Sequence, residues 1–319
     1  MTTAWAVHIS DLHLGGTIKG GGVVPKATAH DPKALEALSN FLWKFHDKHD
    51  GEPRALIVSG DVSANGGDAE LALYHTLMNR GFMVNPQLSF EPLIDGFGAV
   101  LQIPGNHDFW NGSPLPNPKL NPVRKDHFAD TPWRAELLFG QRRVVFHGLC
   151  SSSGCTAFQQ VLAFGAFAAA DLNDATRSVR DASALNLGAP FHVLVLHHSP
   201  ADRSMLSHSL TAKARTELQN LCHASGNARH QIQGILSGHR HSWLIEPRFQ
   251  PTASSLGLPA EVRCGTTLQA PSPLMLTSRP RSFYVHEFTE TPHGSVAWHA
   301  TRYDFSGARF KRNRRQLVA

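Results

Sequence analysis

The stretch IPGNHDFW, from Ile103 to Trp110, follows an apolar run and places an amide, an imidazole and a carboxylate side by side. These are the side chains of Asn106, His107 and Asp108, just after a Pro-Gly turn. A turn needs only small polar residues or glycine to close. Three side chains of such different chemistry therefore suggest three separate tasks, and the other strand ends of the chain support that interpretation.

Five apolar runs end abruptly in polar or glycine-rich turns: WAVHIS, ALIVSG, AVLQIPG, FHVLVL and IQGILSG. Runs of this length with both faces apolar are typical of strands buried on two sides. Between them lie predicted helices from Asp31 to Lys48, from Asp68 to Arg80 and from His208 to Ala224, with Asp31 and Asp68 as expected starts. This alternation predicts an α/β fold with helices outside a largely parallel central sheet.

The last third of the chain lacks helical patterns. AEVRCGTTLQ, SFYVHEFTE and GSVAWHATRYD are typical of strands separated by Pro, Gly and Ser turns. We expect them to form an antiparallel meander that completes a second sheet. The segments Gly15 to Val24 and Asn111 to Pro122 are predicted to be long loops.

The ends of the five runs carry a set of metal-binding side chains. Residues two apart on an extended chain lie about 6–7 Å apart on the same side, so two pairs can each present two ligands. In all there are two carboxylates, one amide and four imidazoles: Asp11, His13, Asp61, Asn106, His197, His239 and His241. Such nitrogen and oxygen ligands without thiolate suit two ions of Mn, Fe or Zn. Two carboxylates leave such a site positive, which is complementary to a phosphate ester.

These blocks, in the order D-x-H, G-D, G-N-H-D, H-H and G-H-x-H from Asp11 to His241, resemble the calcineurin-like metallophosphoesterase family. Each block alone is weak, but five in order at predicted strand ends form a strong signal. The resemblance implies a four-layer α/β/β/α sandwich with the active site at the carboxyl ends of the strands.

The resemblance also implies roles for the ligands. One metal would be held by Asp11, His13, Asp61 and His241, and the other by Asp61, Asn106, His197 and His239, with Asp61 bridging. A metal-bridging hydroxide would attack phosphorus. His107 would donate a proton to the leaving oxygen or hydrogen-bond a phosphate oxygen, and Asp108 would orient His107 and raise its basicity. In HHSP the first histidine is favoured as the ligand, which leaves His198 as a wall or substrate contact.

The substrate is less sharply indicated. GDVSANGG and GNHD lack the arginine of the GDxVDRG pattern, so a protein phosphatase is disfavoured. The arrangement resembles the bacterial cyclic-nucleotide phosphodiesterase branch, which implies a nucleotide-type diester. A metal-dependent nuclease is the alternative, and a catalytically silent scaffold is disfavoured because no ligand is missing. Phe109 and Trp110 either stack on a base or pack beneath the loop, and packing is favoured.

Bulk composition sets the remaining expectations. The chain has 319 residues, 41% hydrophobic and 17% charged, and 20 histidines. It shows no signal-like amino terminus and no run of about 18 apolar residues, so a cytoplasmic protein without a membrane partner is expected. Its four cysteines form no CxxC pair, which predicts reduced, buried thiols. We expect one domain over 1–308 and a basic tail over 309–319, either disordered or, as the alternative, bound to nucleic acid.

Overall fold

The structure is a computed structural model that describes residues 2–15, 30–85, 88–112, 128, 131–185, 189–201, 209–223, 232–239, 244–246, 259–269 and 281–319. Its helices are α1 (Pro32–Lys48), α2 (Asp68–Asn79), α3 (Ala157–Val161), α4 (Ala169–Ala184) and α5 (Ala212–His223). Its strands are β1 (Thr3–Ile9), β2 (Arg54–Val58), β3 (Phe82–Asn85), β4 (Leu88–Phe90), β5 (Ala99–Gln102), β6 (Trp133–Phe139), β7 (Arg142–Gly148), β8 (Phe191–Val195), β9 (Ile232–Ser237), β10 (Leu244–Glu246), β11 (Ala260–Arg263), β12 (Ser282–Glu290), β13 (Val296–Phe305) and β14 (Phe310–Leu317).

Two six-stranded sheets form the centre of the fold. The first has the order β14-β13-β12-β1-β2-β5 and the second the order β10-β11-β9-β8-β7-β6. In the first sheet β1, β2 and β5 are parallel, and in the second β7, β8, β9 and β11 are parallel. The five apolar runs therefore do not share one parallel sheet, as the periodicity alone suggested. They divide between two sheets whose carboxyl ends face the same side.

Aromatic side chains fill the space between the sheets. Phe146 of β7 contacts Phe288 of β12 edge-on at 6.0 Å, and Phe191 of β8 contacts Trp298 of β13 at 6.1 Å. Helix α1 covers the outer face of the first sheet, where Phe41 packs on Phe283 at 4.7 Å, and α4 and α5 cover the second. The fold is thus the expected four-layer α/β/β/α sandwich, built because each sheet is apolar on both faces.

The predicted helices agree closely with the described ones. Asp31 caps α1, since its side chain accepts a hydrogen bond from the amide of Lys33 at 2.8 Å. Helix α2 is preceded by Gly67 as its cap, so Asp68 lies inside the first turn rather than before it. The third helix was expected to begin at residue 208 and to end at residue 224. Both positions lie outside the described residues. None of the helices that the described residues form is long and apolar enough to cross a membrane.

Of the expectations for the carboxyl-terminal third, one holds for a single strand and another is wrong. Strand β11 lies in the second sheet as expected, but β12 pairs antiparallel with β1, so β12 and β13 extend the first sheet instead. The residues expected to be a disordered tail form β14, which pairs with β13 and buries Phe310 against Phe283 at 4.8 Å. Pairing to β13 and burial of Phe310 and Val318 stabilise the strand. The four cysteines are free and buried, as expected.

Candidate metal centre

The loops that follow β1 and β2 are joined backbone to backbone. The amide of Asp11 donates to the carbonyl of Gly60 at 3.0 Å, and the amide of His13 donates to the carbonyl of Asp61 at 3.0 Å. Because β1 and β2 are parallel neighbours, their carboxyl ends lie side by side and this ladder continues past the strands. The two predicted carboxylate ligands are therefore fixed relative to each other by the main chain.

Four of the predicted ligands have left-handed backbone conformations. The φ angles are 51° at Asp11, 46° at His13, 51° at Asp61 and 73° at His239. Non-glycine residues adopt this region at a cost of order 1–3 kcal/mol, and such residues concentrate at functional sites. The expectation that Asp11 and His13 converge because the chain is extended is therefore wrong. They converge because the chain turns sharply after β1 ends at Ile9.

One cluster of donor atoms surrounds Nε2 of His197. This atom lies 3.2 Å from Oδ2 of Asp61, 3.2 Å from Oδ1 of Asn106 and 3.1 Å from Nδ1 of His239. Ligand atoms that each lie about 2.1 Å from a shared ion are separated by about 3–3.4 Å. All four residues are at most 5% exposed. The predicted second metal set thus has the donor types and spacing that suit a divalent ion.

A second cluster shares Asp61 with the first. Nε2 of His13 lies 4.0 Å from Oδ2 of Asp61 and 3.9 Å from Oδ1 of Asp11. His107 also lies near enough to offer a ligand atom to this group. Asp61 belongs to both clusters, which is the position that a bridging carboxylate requires. The remaining predicted ligand, His241, lies outside the described residues.

Backbone carbonyls orient two of the imidazoles. Nδ1 of His197 lies 2.7 Å from the carbonyl of Ser59, and Nδ1 of His107 lies 2.7 Å from the carbonyl of Ala64. A carbonyl only accepts, so each Nδ1 carries the proton and each Nε2 faces the centre. No sequence pattern identifies either carbonyl, because a main-chain acceptor is present at every residue.

Opposite charges are stabilised inside this buried centre. Burial favours a raised pKa at Asp61, but the neighbouring His197, followed by His107 and His13, holds the pKa of Asp61 well below its usual value. Burial likewise disfavours the charged form of His197, yet Asp61 and its hydrogen bond raise the pKa of His197 to about 9. Asp61 is therefore ionised, and its negative charge favours a cation in the centre.

Asp108 has a different position from the one expected. Its carboxylate accepts hydrogen bonds from the amides of Val62 at 3.3 Å, Ser63 at 3.0 Å and Gly105 at 2.9 Å, and from the Ser63 hydroxyl at 2.6 Å. The expectation that it orients His107 is wrong, since the Ala64 carbonyl does so. Asp108 instead fastens the loop after β2 to the loop after β5. Burial, and then Asp61, raise the pKa of Asp108 to about 7.

Trp110 packs on the imidazole of His107. The two rings are stacked with centroids 3.8 Å apart, and His13 contacts the ring of His107 edge-on at 4.7 Å. His107 is held between them while remaining partly exposed. This contact agrees with packing, rather than base stacking, as the role of Trp110, while Phe109 is 7% exposed.

His198 belongs to neither cluster. Its Nδ1 lies 2.8 Å from the hydroxyl of Ser151, and its amide donates to the same hydroxyl at 3.0 Å. Its ring lies beside that of His239, with centroids 4.3 Å apart. Of the two adjacent histidines, His197 is therefore the one whose ring nitrogen lies among the donor atoms, and His198 forms part of the wall.

The two sheets meet at Asp11. Its Oδ2 accepts hydrogen bonds from the Ser10 hydroxyl at 2.6 Å and from the amide of His239 at 3.0 Å, while its carbonyl accepts from Thr266 at 2.9 Å. His239 follows β9 and Thr266 follows β11, both in the second sheet. These contacts position the two halves of the centre, and sequence patterns did not identify Thr266.

Gly105 permits the closest approach in the centre. A Cβ atom at this position would collide with the backbone nitrogen and the carboxylate of Asp61. Glycine is required where two backbones approach this closely. The glycine of G-N-H-D therefore sets the distance between the loop after β5 and the shared aspartate.

Comparisons with known proteins identify the family of this chain. A family model described as calcineurin-like phosphoesterase matches residues 5–243, about three quarters of the chain. The chain belongs to the calcineurin-like phosphoesterase family. Both the expected family and the expected fold are thereby confirmed, and family and fold support metal-dependent hydrolysis of phosphate esters. No curated protein matches the sequence.

The chain is similar to several solved structures at low sequence identity, and the first of them supports the fold. A dimetal phosphatase from Danio rerio is 12% identical with a TM-score of 0.53, over 99% of this chain and 98% of that one. A calcineurin-like phosphoesterase from Bacillus subtilis is 12% identical with a TM-score of 0.41, over 99% and 90%. A 5'-nucleotidase from Candida albicans is 13% identical with a TM-score of 0.45, over 95% of this chain and 52% of that one.

Proposed function

We propose that this protein is a metal-dependent phosphodiesterase that acts on a nucleotide-type ester, with a cyclic nucleotide as the first substrate to test. The observation that carries the proposal is the position of Asp61 in both donor clusters. A shared carboxylate brings two divalent ions close together, which is the arrangement that suits displacement at phosphorus. The donor types restrict the choice of metal to ions such as Mn, Fe and Zn, which all suit imidazole and carboxylate ligands.

The proposed ligands divide between the clusters. Asp11, His13 and Asp61, with His241, would hold one ion, and Asp61, Asn106, His197 and His239 would hold the other. When bound, the two ions would supply Lewis-acid stabilisation to the phosphate oxygens. Since only two of the ligands are carboxylates, the loaded centre would stay positive and attract an anionic ester.

His107 would act on the leaving group. Its Nδ1 is held by the Ala64 carbonyl, so Nε2 is the atom that can carry a second proton toward the substrate. Its stack with Trp110 restricts the ring to one plane. A ring fixed on both sides presents its proton in one direction, which is what general acid catalysis needs.

The sequence pattern supports a preference for phosphodiesters over phosphomonoesters, and an assay with both kinds of ester tests it. Purified protein is loaded with Mn²⁺, Fe²⁺, Ni²⁺ or Zn²⁺ and assayed with bis(p-nitrophenyl) phosphate, p-nitrophenyl phosphate and cyclic nucleotides. We expect hydrolysis of the diester to exceed that of the monoester. Preference for the monoester would refute the phosphodiesterase assignment. No hydrolysis of any of these esters with any of the metals would refute the proposal that the protein is a phosphoesterase.

Two variants test the ligand roles. Asp61→Ala and Asn106→Ala should abolish turnover, and Asp61→Ala should also remove binding of both ions in a metal titration. Asp174→Ala, at an exposed position on α4, is the control that should retain both. Full activity in Asp61→Ala would show that this aspartate does not bridge.

A metal-dependent nuclease is the second candidate function. The feature that favours it is the exposed basic edge strand β14, because nucleic acids are polyanions. The completeness of the ligand set in the sequence argues against a silent scaffold.

A further inference from the structure

The positive charge of this protein is concentrated on β14 and the turn before it. The chain has 30 basic and 25 acidic residues. The segment RFKRNRRQ contributes five basic and no acidic residues, so the rest of the chain is balanced at 25 of each. Arg309, Lys311, Arg312, Arg314 and Arg315 are all exposed. The formal net charge of +5 therefore equals the charge of this segment alone.

Most of these charges have no carboxylate partner. Arg315 pairs with Glu287 at 2.9 Å, and Asp304 is occupied by Arg302 at 3.0 Å and by Asn313. Within the described part of the chain, no carboxylate forms an ion pair with Arg309, Lys311, Arg312 or Arg314. These four cations remain available to an external anion.

The strand register places the start of β14 at the same end of the sheet as the metal centre. Lys311 pairs with Asp304, and Asp304 pairs with Ser282. Ser282 lies beside the end of β1, because Thr267 links the two. The hydroxyl of Thr267 donates to the carbonyl of Ser282 at 3.2 Å, and its amide donates to the carbonyl of Ser10 at 3.0 Å. Three strand spacings of about 4.8 Å separate β14 from β1, so the basic segment begins about 14 Å across the sheet edge from Asp11.

We propose that Arg309, Lys311 and Arg312, at the start of β14, bind the phosphate backbone of a nucleic acid strand that extends to the metal centre. Guanidinium and ammonium groups on an exposed edge bind phosphates without reading sequence. The distance of about 14 Å is short enough for one strand to contact both places. Binding is independent of the function proposed above, whereas cleavage of the bound strand rests on it.

Charged side chains on an edge strand have a second established use. They discourage edge-to-edge pairing between copies of a protein. That role requires only that β14 stay unpaired, and it makes no demand on phosphate affinity. The two roles therefore make different predictions for the same substitutions.

The test is a triple variant, Arg309→Gln with Lys311→Gln and Arg312→Gln. Its matched control is Lys44→Gln with Lys48→Gln and Arg80→Gln, which removes three exposed charges elsewhere. Binding of short fluorescein-labelled single- and double-stranded oligodeoxynucleotides is followed by anisotropy with chelator present, so that no cleavage occurs. Titrations at salt concentrations between about 50 and 200 mM give the slope of log K against log salt.

The expected loss follows from counterion release. Three lost contacts to a single strand reduce the slope by about 2 and weaken binding about 100-fold near 0.1 M salt. The control should match the wild-type protein. Equal affinity in the triple variant and the wild type, or no binding by the wild type, would overturn the proposal.

Three further readouts separate the alternatives. Self-association of the triple variant in size-exclusion chromatography, with oligonucleotide affinity unchanged, would assign β14 to edge protection and overturn the proposal. Sedimentation with phosphatidylserine vesicles but no oligonucleotide binding would assign it to a membrane surface instead. If binding depends on β14 but no oligonucleotide is cleaved with metal restored, the binding proposal holds and only the nuclease function fails.

Discussion

The buried histidine His286 should make the stability of this protein sensitive to mild acid. It lies on β12 between the two sheets, is fully buried and accepts a hydrogen bond at Nδ1 from the indole of Trp298 at 3.1 Å. Burial, and then the neighbouring His8, hold the pKa of His286 well below its usual value. His286 therefore stays neutral in the folded protein at pH values where the unfolded chain is already protonated.

The sign and size of the effect follow from proton linkage. A histidine with a depressed folded-state pKa contributes stability that is present above the unfolded pKa of about 6.5 and is lost as pH falls below it. Each pH unit below that value costs about 1.4 kcal/mol of unfolding free energy. Between about pH 7.5 and pH 5, His286 should therefore cost about 2 kcal/mol.

The assay compares urea unfolding of wild-type protein and His286→Gln at both pH values, with chelator present. The substitution removes the titrating group, and contributions from other groups cancel in the difference between the two proteins. We expect the stability advantage of the wild type to shrink by about 2 kcal/mol at the lower pH. His293→Gln, at an exposed histidine in the turn between β12 and β13, is the control. A difference that stays constant with pH would refute a neutral buried His286.

Three further predictions concern the metal centre. Gly105→Ala should lower activity about 100-fold, because the added Cβ would collide with the shared aspartate and displace it. The control is Gly98→Ala, whose added Cβ would make only an ordinary contact at 3.6 Å. Equal kcat in both variants would contradict the argument that Gly105 permits a close approach. Trp110→Leu should lower kcat by up to about tenfold through loss of the stack on His107, with unchanged metal affinity in calorimetry; Trp43→Leu, at a side chain that is 63% exposed, should leave kcat unchanged. Removal of metal with a chelator should lower the unfolding free energy by about 2.7 kcal/mol for each ion that the protein binds when the metal is at 100 times its Kd. Equal thermal unfolding temperatures with and without Mn²⁺ would show that the folded protein holds no ion.

Much of the candidate site was predictable because its chemistry is written in short blocks at strand ends. The apolar runs before Asp11, Asp61 and Asn106 form β1, β2 and β5, and their ends meet because parallel neighbours terminate together. Side-chain type then limits the function, since imidazole, carboxylate and amide donors without thiolate suit only a few metals. Asp31 likewise identified the start of α1, because capping is a local interaction.

Two of the errors concern contacts between residues far apart in the sequence. Asp108 was expected to orient His107, its chain neighbour, but it binds the loop after β2 instead, 45 residues away at Ser63. The basic residues of β14 suggested a solvated tail, although Phe310 is buried against Phe283 of β12, which is two strands earlier in the chain. No local pattern reveals such partners, because the same residues would be equally compatible with a solvated tail.

The sequence by itself determined the family, the apolar strands with polar ends and the chemical types of the ligands, because these depend on local patterning and side-chain chemistry. Only the tertiary structure decided that β1 and β2 contribute from one sheet and β8 and β9 from the other, and that Asp11 joins them through the amide of His239. It also decided which nitrogen of His107 faces the centre, because the orienting group is the Ala64 carbonyl. Main-chain acceptors are identical at every residue, so their use is set by how the backbone folds.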